Sequence, residues 1–206
     1  MENLLKRYPA LEGCKSDIEN ALSLMISTYK NGGKILVCGN GGSAADSDHI
    51  VGELMKGFML KRPVGKDFVE KMKECGIEDA EYLADNLQGS LPAIALPAQS
   101  GILSAFANDV APDMVYAQLT YGYANEGDLV IGLSTSGNSK NVVNAIKIAK
   151  AKGARTLAMT GERESELSKL SDVTIRVPEC ETYKIQELHL PVYHYLCAAT
   201  EKEFFV

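Results

Sequence analysis

The amino-acid sequence predicts a three-layer α/β/α sandwich built around a five-stranded parallel sheet. Two observations carry this prediction. Five short runs are mostly apolar throughout rather than alternating, as is typical of parallel strands covered on both faces; they lie at 34–38, 92–96, 128–133, 155–160 and 172–177. Segments of helical period lie between them, and the alternation of strand and helix favours right-handed crossovers with helices on both sides of the sheet.

A helix predicted over 16–30 precedes the first strand. Ser16 and Glu19 have the spacing of a capping box, which predicts the start of the helix at Ser16. One stripe of this helix is apolar and consists of Ile18, Leu22, Met25, Ile26 and Tyr29. The helix must therefore pack on the outside of the domain or against a partner.

The segment from 59 to 89 is charged and helix-prone, and it predicts an inserted helical pair between the first and second strands. After the third strand, the run at 139–153 predicts another helix, which ends at Gly153 as a C-terminal cap. A chain of 206 residues can form one domain with a sizeable core, so we expect a single domain over 1–206.

Composition limits the partners and the compartment. The formal net charge is −6, whereas nucleic-acid binders usually carry an overall basic charge, so we expect no nucleic-acid partner. No apolar run has the length of a membrane span, and the N-terminal residues lack the pattern of a signal peptide. The five cysteines are odd in number and scattered, which favours a reducing compartment. We therefore expect a cytoplasmic protein without a membrane partner.

Two loops that follow predicted strands have the composition of a phosphate site. The first contains Asn40, Gly41, Gly42 and Ser43, and the second contains Ser134, Thr135, Ser136 and Ser139. Glycines allow the backbone to approach a ligand, and the helix start that follows supplies free N–H groups and a positive dipole end. Each loop alone is also compatible with a simple capped turn. Two such loops at strand ends of one sheet favour a phosphate site.

The first loop also satisfies a dinucleotide fingerprint, because Gly39, Gly41 and Ala44 fit G-x-G-x-x-A. That fingerprint needs a further strand after the helix, ending in an acidic residue for the ribose. The residues that follow the helix contain neither feature. We therefore expect no nucleotide cofactor.

His49 and Glu53 lie four residues apart, just after the first loop, in a chain with three histidines. On a helix this spacing places both side chains on one face, where both can reach one ligand or metal ion. The same pair on an arbitrary helix is more often a solvated surface pair. The position directly after the glycine loop favours a functional site.

The residues of these segments resemble the sugar isomerase (SIS) domain family and, within it, the bacterial phosphoheptose isomerases. The resemblance covers most of the chain and rests on "GNGGSAADSDHIVGEL", "AIAL", "ANDVAPDMVYAQ", "GDLVIGLSTSGNSKNVVNAIKIAKAKG", "TIRVP" and "IQELHLPVYH". It implies an SIS fold and an aldose–ketose isomerase that converts sedoheptulose 7-phosphate into D-glycero-D-manno-heptose 7-phosphate through an enediol. It also implies a cytoplasmic homotetramer with active sites at subunit interfaces and one Zn²⁺ per subunit.

The resemblance assigns roles to residues that match the family motifs. It implies that Glu53 and His194 are the catalytic acid/base pair. It implies zinc ligands at His49, Glu53, Gln186 and His194. It implies substrate or phosphate contacts at Asn40, Gly41, Gly42, Ser43, Asp109, Ser134, Thr135, Ser136, Ser139 and Gln186. Gln186 and His194 are eight residues apart, a rise of about 12 Å along a helix, so they meet one small ligand only from opposite sides or from different subunits.

Three features depart from the family pattern. Gly57 stands where family members usually carry an arginine, Tyr183 stands where they often carry an aspartate, and the segment 59–89 is longer. All three concern the sugar end of the site. Two alternatives therefore stay open: an isomerase of another keto-sugar phosphate, and a non-catalytic SIS protein that senses sugar phosphates or binds a replication initiator.

Overall fold

The computed structural model describes all 206 residues and contains one five-stranded sheet. The strands are β1 (Ile35–Cys38), β2 (Ala93–Ala95), β3 (Leu129–Leu133), β4 (Arg155–Thr160) and β5 (Val173–Arg176). All neighbouring strands are parallel, in the order β2-β1-β3-β4-β5. The predicted five-stranded parallel sheet is confirmed, with every strand inside its predicted run.

Helices cover both faces of the sheet. They are α1 (Glu2–Arg7), α2 (Lys15–Lys30), α3 (Gly42–Met55), α4 (Lys66–Glu74), α5 (Ala80–Asn86), α6 (Ser100–Asp109), α7 (Val115–Tyr123), α8 (Lys140–Ala151), α9 (Glu166–Leu170) and α10 (Thr182–Phe205). One core joins Ile35 and Val37 of β1 to α2, α3 and α10, and the other joins Leu36 and Cys38 to α7, α8 and α9. None of the helices has the length and apolar character needed to cross a membrane.

The start of α2 differs from the prediction. A 3-10 turn over Pro9–Cys14 runs directly into the helix, whose N-cap is Cys14 without a side-chain hydrogen bond. Ser16 therefore lies inside the first helical turn, and the predicted capping box at Ser16 is wrong. The C-terminal cap of α8 is confirmed, because Gly153 has a positive φ of 74°.

The inserted segment contains the predicted helical pair, α4 and α5. A buried ion pair ties the beginning of this segment to the end of the chain. Arg62 donates from Nε to Oε1 of Glu201 over 2.8 Å, and both side chains are fully buried. The guanidinium also donates to the carbonyl oxygens of Glu53 (3.0 Å) and Leu54 (2.7 Å). It thereby holds the last turn of α3 against the C-terminal end of α10.

The strand order sets the position of the site. The chain runs from β1 outward to β2 at one edge, then crosses back so that β3 lies on the other side of β1. Connections on the two sides of β1 leave in opposite directions, which opens a crevice at the carboxyl ends of β1 and β3. The two loops singled out in the sequence follow these two strands.

Candidate active site

The first loop joins β1 to the start of α3. Gly41 is the N-cap residue of α3. The amides of Ser43 and Ala44 donate to the carbonyl oxygens of Asn40 and Gly41, each over 3.0 Å, which leaves the amide of Gly42 free at the start of the helix. Tyr116 fixes the loop from behind by donating its hydroxyl proton to the carbonyl oxygen of Gly39 over 2.7 Å. Ser43 is buried, whereas Asn40 and Gly42 are exposed.

The second loop is a cluster of hydroxyls between β3 and α8. The Oγ atoms of Ser134 and Ser139 lie 2.9 Å apart, and the Oγ of Ser136 accepts from the amide of Asn138 over 3.2 Å. Thr135 and Ser139 are partly exposed and Ser136 is exposed, so the cluster faces outward. Its donors can bind phosphate oxygens without a metal ion.

Asn40 and Asn141 hold the two loops together. Each amide donates to the other over 2.9 Å, which gives a reciprocal pair between the first loop and the first turn of α8. The structure therefore confirms that the two predicted loops lie at one place. Sequence reasoning did not single out Asn141.

Gln186 lies against the first loop. A Cβ placed on Gly42 would come within 2.6 Å of Nε2 of Gln186, so the Gln186 amide packs directly against this glycine. Gln186 can therefore contact a ligand bound at the phosphate loops. In the same chain it lies about two helical turns, roughly 12 Å, from His194, so its role as a zinc ligand stays a prediction.

His49, Glu53 and His194 come together where α3 packs on α10. Nε2 of His49 lies 3.2 Å from Oε1 of Glu53 and 3.4 Å from Nε2 of His194. The side chain of Glu53 is 13% exposed, whereas that of His49 is 42% exposed. Lys56 approaches the other oxygen of Glu53 at 3.5 Å. The structure thus joins three of the four predicted metal ligands, including both predicted catalytic residues.

Two further residues support His49 from behind. Nδ1 of His49 lies 3.0 Å from the hydroxyl oxygen of Tyr193, which donates to Oδ1 of Asp46 over 3.1 Å. Burial raises the pKa of Tyr193, and the neighbouring Asp46 carboxylate raises it further. Burial also raises the pKa of Asp46, partly offset by the hydrogen bond from Tyr193. Burial and then the neighbouring His49 lower the pKa of His194.

Asp46 and Tyr193 were not singled out from the sequence. Asp46 lies three residues before His49, which places it on a neighbouring part of the same helix face. That spacing is the one signal that pointed to it. Tyr193 lies on another helix, so only the packing of α10 on α3 reveals its contact.

The third histidine, His189, packs in the protein core. His189 is fully buried, and its Nε2 lies 3.3 Å from the carbonyl oxygen of Thr160. Burial lowers the pKa of His189 to about 4, which keeps the ring neutral. This histidine is therefore packed in the core, apart from His49 and His194.

Asp109 is the last residue of α6 and is exposed. Its side chain makes one hydrogen bond, accepted from Nδ2 of Asn108 over 2.8 Å. This hydrogen bond does not join Asp109 to either loop or to His49, Glu53 and His194. Its predicted role in substrate binding therefore stays a prediction.

A cavity of about 210 Å³ lies beside the second loop. Its walls include Thr135, Ser136 and Asn138 on one side and Arg163 and Cys180 on the other. The group of His49, Glu53 and His194 lies outside this cavity. Thr135 and Ser136 of the second loop thus line a partly enclosed space within one chain, whereas His49, Glu53 and His194 do not.

Comparison with known protein families identifies the domain. The model of the SIS domain matches residues 103–198, and a second SIS-domain model matches residues 2–86. The fold and the two loops therefore define an SIS-domain protein.

Similar proteins narrow this class. The phosphoheptose isomerase of Citrifermentans bemidjiense is 38% identical over 198 residues, which is 96% of this chain and 90% of that protein. The phosphoheptose isomerase of Aneurinibacillus thermoaerophilus is 36% identical over 91% of this chain and 82% of that protein. The chain belongs to the phosphoheptose isomerase family.

Solved structures show the same fold over the whole chain. The phosphoheptose isomerase of Neisseria gonorrhoeae superposes with a TM-score of 0.75 at 28% identity, covering 98% of this chain and 96% of that one. The one from Francisella tularensis gives a TM-score of 0.78 at 26% identity, covering 98% and 94%. The predicted SIS fold is confirmed.

Proposed function

We propose that this chain is a ketose–aldose isomerase that converts sedoheptulose 7-phosphate into D-glycero-D-manno-heptose 7-phosphate. Membership of the phosphoheptose isomerase family supports the reaction. The observation that carries the proposal is the joint arrangement of the two phosphate loops, linked by Asn40 and Asn141, with Glu53 on α3, the helix that starts at the first loop, and His194 on α10, which packs on α3.

The phosphate group binds at the paired loops. Hydroxyls of Ser134, Ser136 and Ser139, together with the amide of Gly42 at the start of α3, donate to its oxygens. The helix dipole and these donors attract a dianion, so the loops anchor one end of the substrate. Asn40 and Gln186, at the rim of the first loop, contact the remaining oxygens.

Proton transfer takes place at the other end. A base removes the proton from C1 of the ketose to form an enediol, and the proton then returns to C2. We assign this carbon base to Glu53, whose carboxylate is mostly shielded from solvent. His194 moves the proton between the two oxygens, because its lowered pKa keeps a neutral ring that can both accept and donate.

The same group of side chains fits a zinc ion. Tetrahedral bonds of about 2.0–2.2 Å place neighbouring ligand atoms about 3.3–3.6 Å apart. The separations of 3.2 and 3.4 Å from Nε2 of His49 to Glu53 and His194 are close to this value. The side chains do not form a ready cluster of three or more such ligands, so binding requires a small rearrangement and a further ligand. His49, Glu53 and His194 would hold the ion, which supplies a Lewis acid for the substrate oxygens.

We further propose a homotetramer with the active sites at subunit interfaces. Two observations support it: the acid/base end lies outside the enclosed space of one chain, and Gln186 lies about 12 Å from His194 along α10. Leu103, Phe106 and Ala107 of α6 pack against the core, but no residue of this helix is fully buried, so its outer side is available to a neighbouring subunit. We also propose a cytoplasmic location, because all five cysteines are free thiols.

A substrate panel tests the function. Purified protein is given C5, C6 and C7 ketose phosphates with added Zn²⁺ and, separately, with chelator, and the aldose products are measured. We expect turnover of sedoheptulose 7-phosphate, and loss of that turnover in Glu53→Gln and His194→Ala with an unchanged circular dichroism spectrum. Full turnover in both variants would refute the residue assignments. Turnover of only a shorter ketose phosphate would show that this sugar, rather than sedoheptulose 7-phosphate, is the substrate.

A further inference from the structure

A chain of hydrogen bonds runs from His49 on α3 to Tyr193 on α10 and back to Asp46 on α3. The hydroxyl of Tyr193 lies between Nδ1 of His49 at 3.0 Å and Oδ1 of Asp46 at 3.1 Å. Tyr193 is 2% exposed. Oδ2 of Asp46 is buried without a partner, so the Tyr193 hydroxyl is the one hydrogen-bond donor to this carboxylate.

The number of available protons determines which group donates in each of these two hydrogen bonds. An ionised carboxylate only accepts hydrogen bonds, and a tyrosine hydroxyl has one proton to donate. Tyr193 gives that proton to Asp46 and therefore accepts at its oxygen. The only proton available for the second hydrogen bond is on Nδ1 of His49.

We propose that Asp46 and Tyr193 are positioning residues that keep a proton on Nδ1 of His49 and so direct the lone pair of Nε2 into the active site. In the neutral ring one nitrogen donates and the other accepts. A hydrogen bond at Nδ1 therefore decides the state of Nε2. The proposal deepens the proposed function, on which its catalytic consequence rests.

The consequence concerns Glu53. A neutral His49 with its proton on Nε2 would donate to Oε1 of Glu53 over 3.2 Å and would present no lone pair to a cation. With the proton on Nδ1, Nε2 presents a lone pair beside Glu53 and His194. A cation can then bind among the three acceptors, because histidine ligands commonly donate their other ring N–H to a supporting group.

Packing alone could also explain a buried tyrosine at this position. The rings of Tyr193 and His49 meet edge to face with centroids 5.4 Å apart. The variant Tyr193→Phe keeps this ring and removes only the hydroxyl. It therefore separates the hydrogen bond from the packing.

The test is ¹⁵N NMR of the metal-free protein labelled on histidine, recorded at about pH 8.5, roughly two units above the ordinary pKa of histidine. The chain has three histidines, and His49→Gln identifies the signal of His49. We expect a protonated Nδ1 in the unsubstituted protein and a proton on Nε2 in Tyr193→Phe. Tyr29→Phe is the matched control, since Tyr29 is buried and donates to the carbonyl oxygen of Pro92 over 3.3 Å; it should leave the signal unchanged.

An unprotonated Nδ1 in the starting protein would overturn the inference, as would an unchanged His49 signal in Tyr193→Phe. Zinc titration gives a second readout: Tyr193→Phe should bind Zn²⁺ about tenfold more weakly than Tyr29→Phe. Equal zinc affinity in the two variants would count against the role of the pair. A proton shift in Tyr193→Phe without zinc binding by any of the proteins would support the inference and remove zinc from the proposed function.

Discussion

Replacing Arg62 by methionine tests the largest single electrostatic feature of the fold. Methionine retains much of the length of the side chain but removes the guanidinium. Four acceptors then each lose one donor: Oε1 of Glu201 and the carbonyl oxygens of Glu53, Leu54 and Gly89. The Glu201 carboxylate stays fully buried with only the amides of Phe58 and Met59, each at 2.8 Å.

Breaking a buried pair by removing one partner costs about 3–5 kcal/mol, because the other charge is left uncompensated. This is a large fraction of the free energy of unfolding of an ordinary domain, about 5–15 kcal/mol. With an m-value of about 2 kcal/mol/M, a loss of about 4 kcal/mol lowers the urea midpoint by about 2 M. The matched control is Arg155→Met, which breaks a surface contact with Asp172 and should cost less than about 1 kcal/mol.

Urea unfolding followed by circular dichroism measures both variants. The double variant Arg62→Met/Glu201→Met should regain part of the loss, because it removes the stranded charge while the amides of Phe58 and Met59 stay unpaired. A loss below about 1 kcal/mol in Arg62→Met would refute the reasoning. So would a double variant whose loss equals the sum of the two single losses, because additive losses mean that the pair is not coupled.

The pH dependence has a defined sign. Burial alone would raise the pKa of Glu201, but the amides of Phe58 and Met59 and the Arg62 guanidinium outweigh it and lower this pKa. A carboxyl group with a lowered pKa in the folded state stabilises the fold above its ordinary value of 4.5. This stability is lost as the pH falls through the folded pKa. The difference in stability between Arg62→Met and the starting protein should therefore shrink in acid.

Three further predictions concern the site. Gly137→Ala should lower stability by about 1–3 kcal/mol in thermal unfolding, because Gly137 has a φ of +66° and its added Cβ would lie 2.1 Å from Oγ of Ser165; an unchanged melting temperature would contradict this. Gly57→Arg, which introduces the usual family residue, should reduce the yield of folded protein, since a Cβ there lies 2.5 Å from the carbonyl oxygen of Leu60. A well-folded, more active variant would mean that the backbone at Gly57 and Leu60 has another conformation. The NMR titration midpoint of His194 in the metal-free protein should lie below 6.5, and a midpoint above it would contradict the effect of burial.

The sheet could be predicted because its strands are marked by local signals. Runs such as 34–38 and 155–160 are apolar throughout, and parallel strands buried on both faces require this pattern. The start of α2 was mispredicted because Ser16 and Glu19 satisfy a capping motif locally. The 3-10 turn that continues into the helix depends on neighbouring packing, which a local motif does not contain.

The candidate site likewise contains some contacts that the sequence spacing indicates and others that only the folded structure reveals. His49 and Glu53 are four residues apart, so one helix brings them together and their spacing was informative. Tyr193 and Asp46 are 147 residues apart in sequence, and their contact exists only because α10 packs on α3. The reciprocal pair of Asn40 and Asn141 likewise joins two loops that are distant in sequence.

Deuterium incorporation tests most directly the claim that Glu53 moves a proton at carbon. Sedoheptulose 7-phosphate is incubated in D₂O, and the label at C2 of the heptose 7-phosphate product is followed by NMR. The unsubstituted protein should introduce deuterium at C2, and Glu53→Gln should introduce none while its circular dichroism spectrum and its binding of phosphate stay unchanged. Undiminished deuterium incorporation by Glu53→Gln would contradict the assignment of this residue as the carbon base.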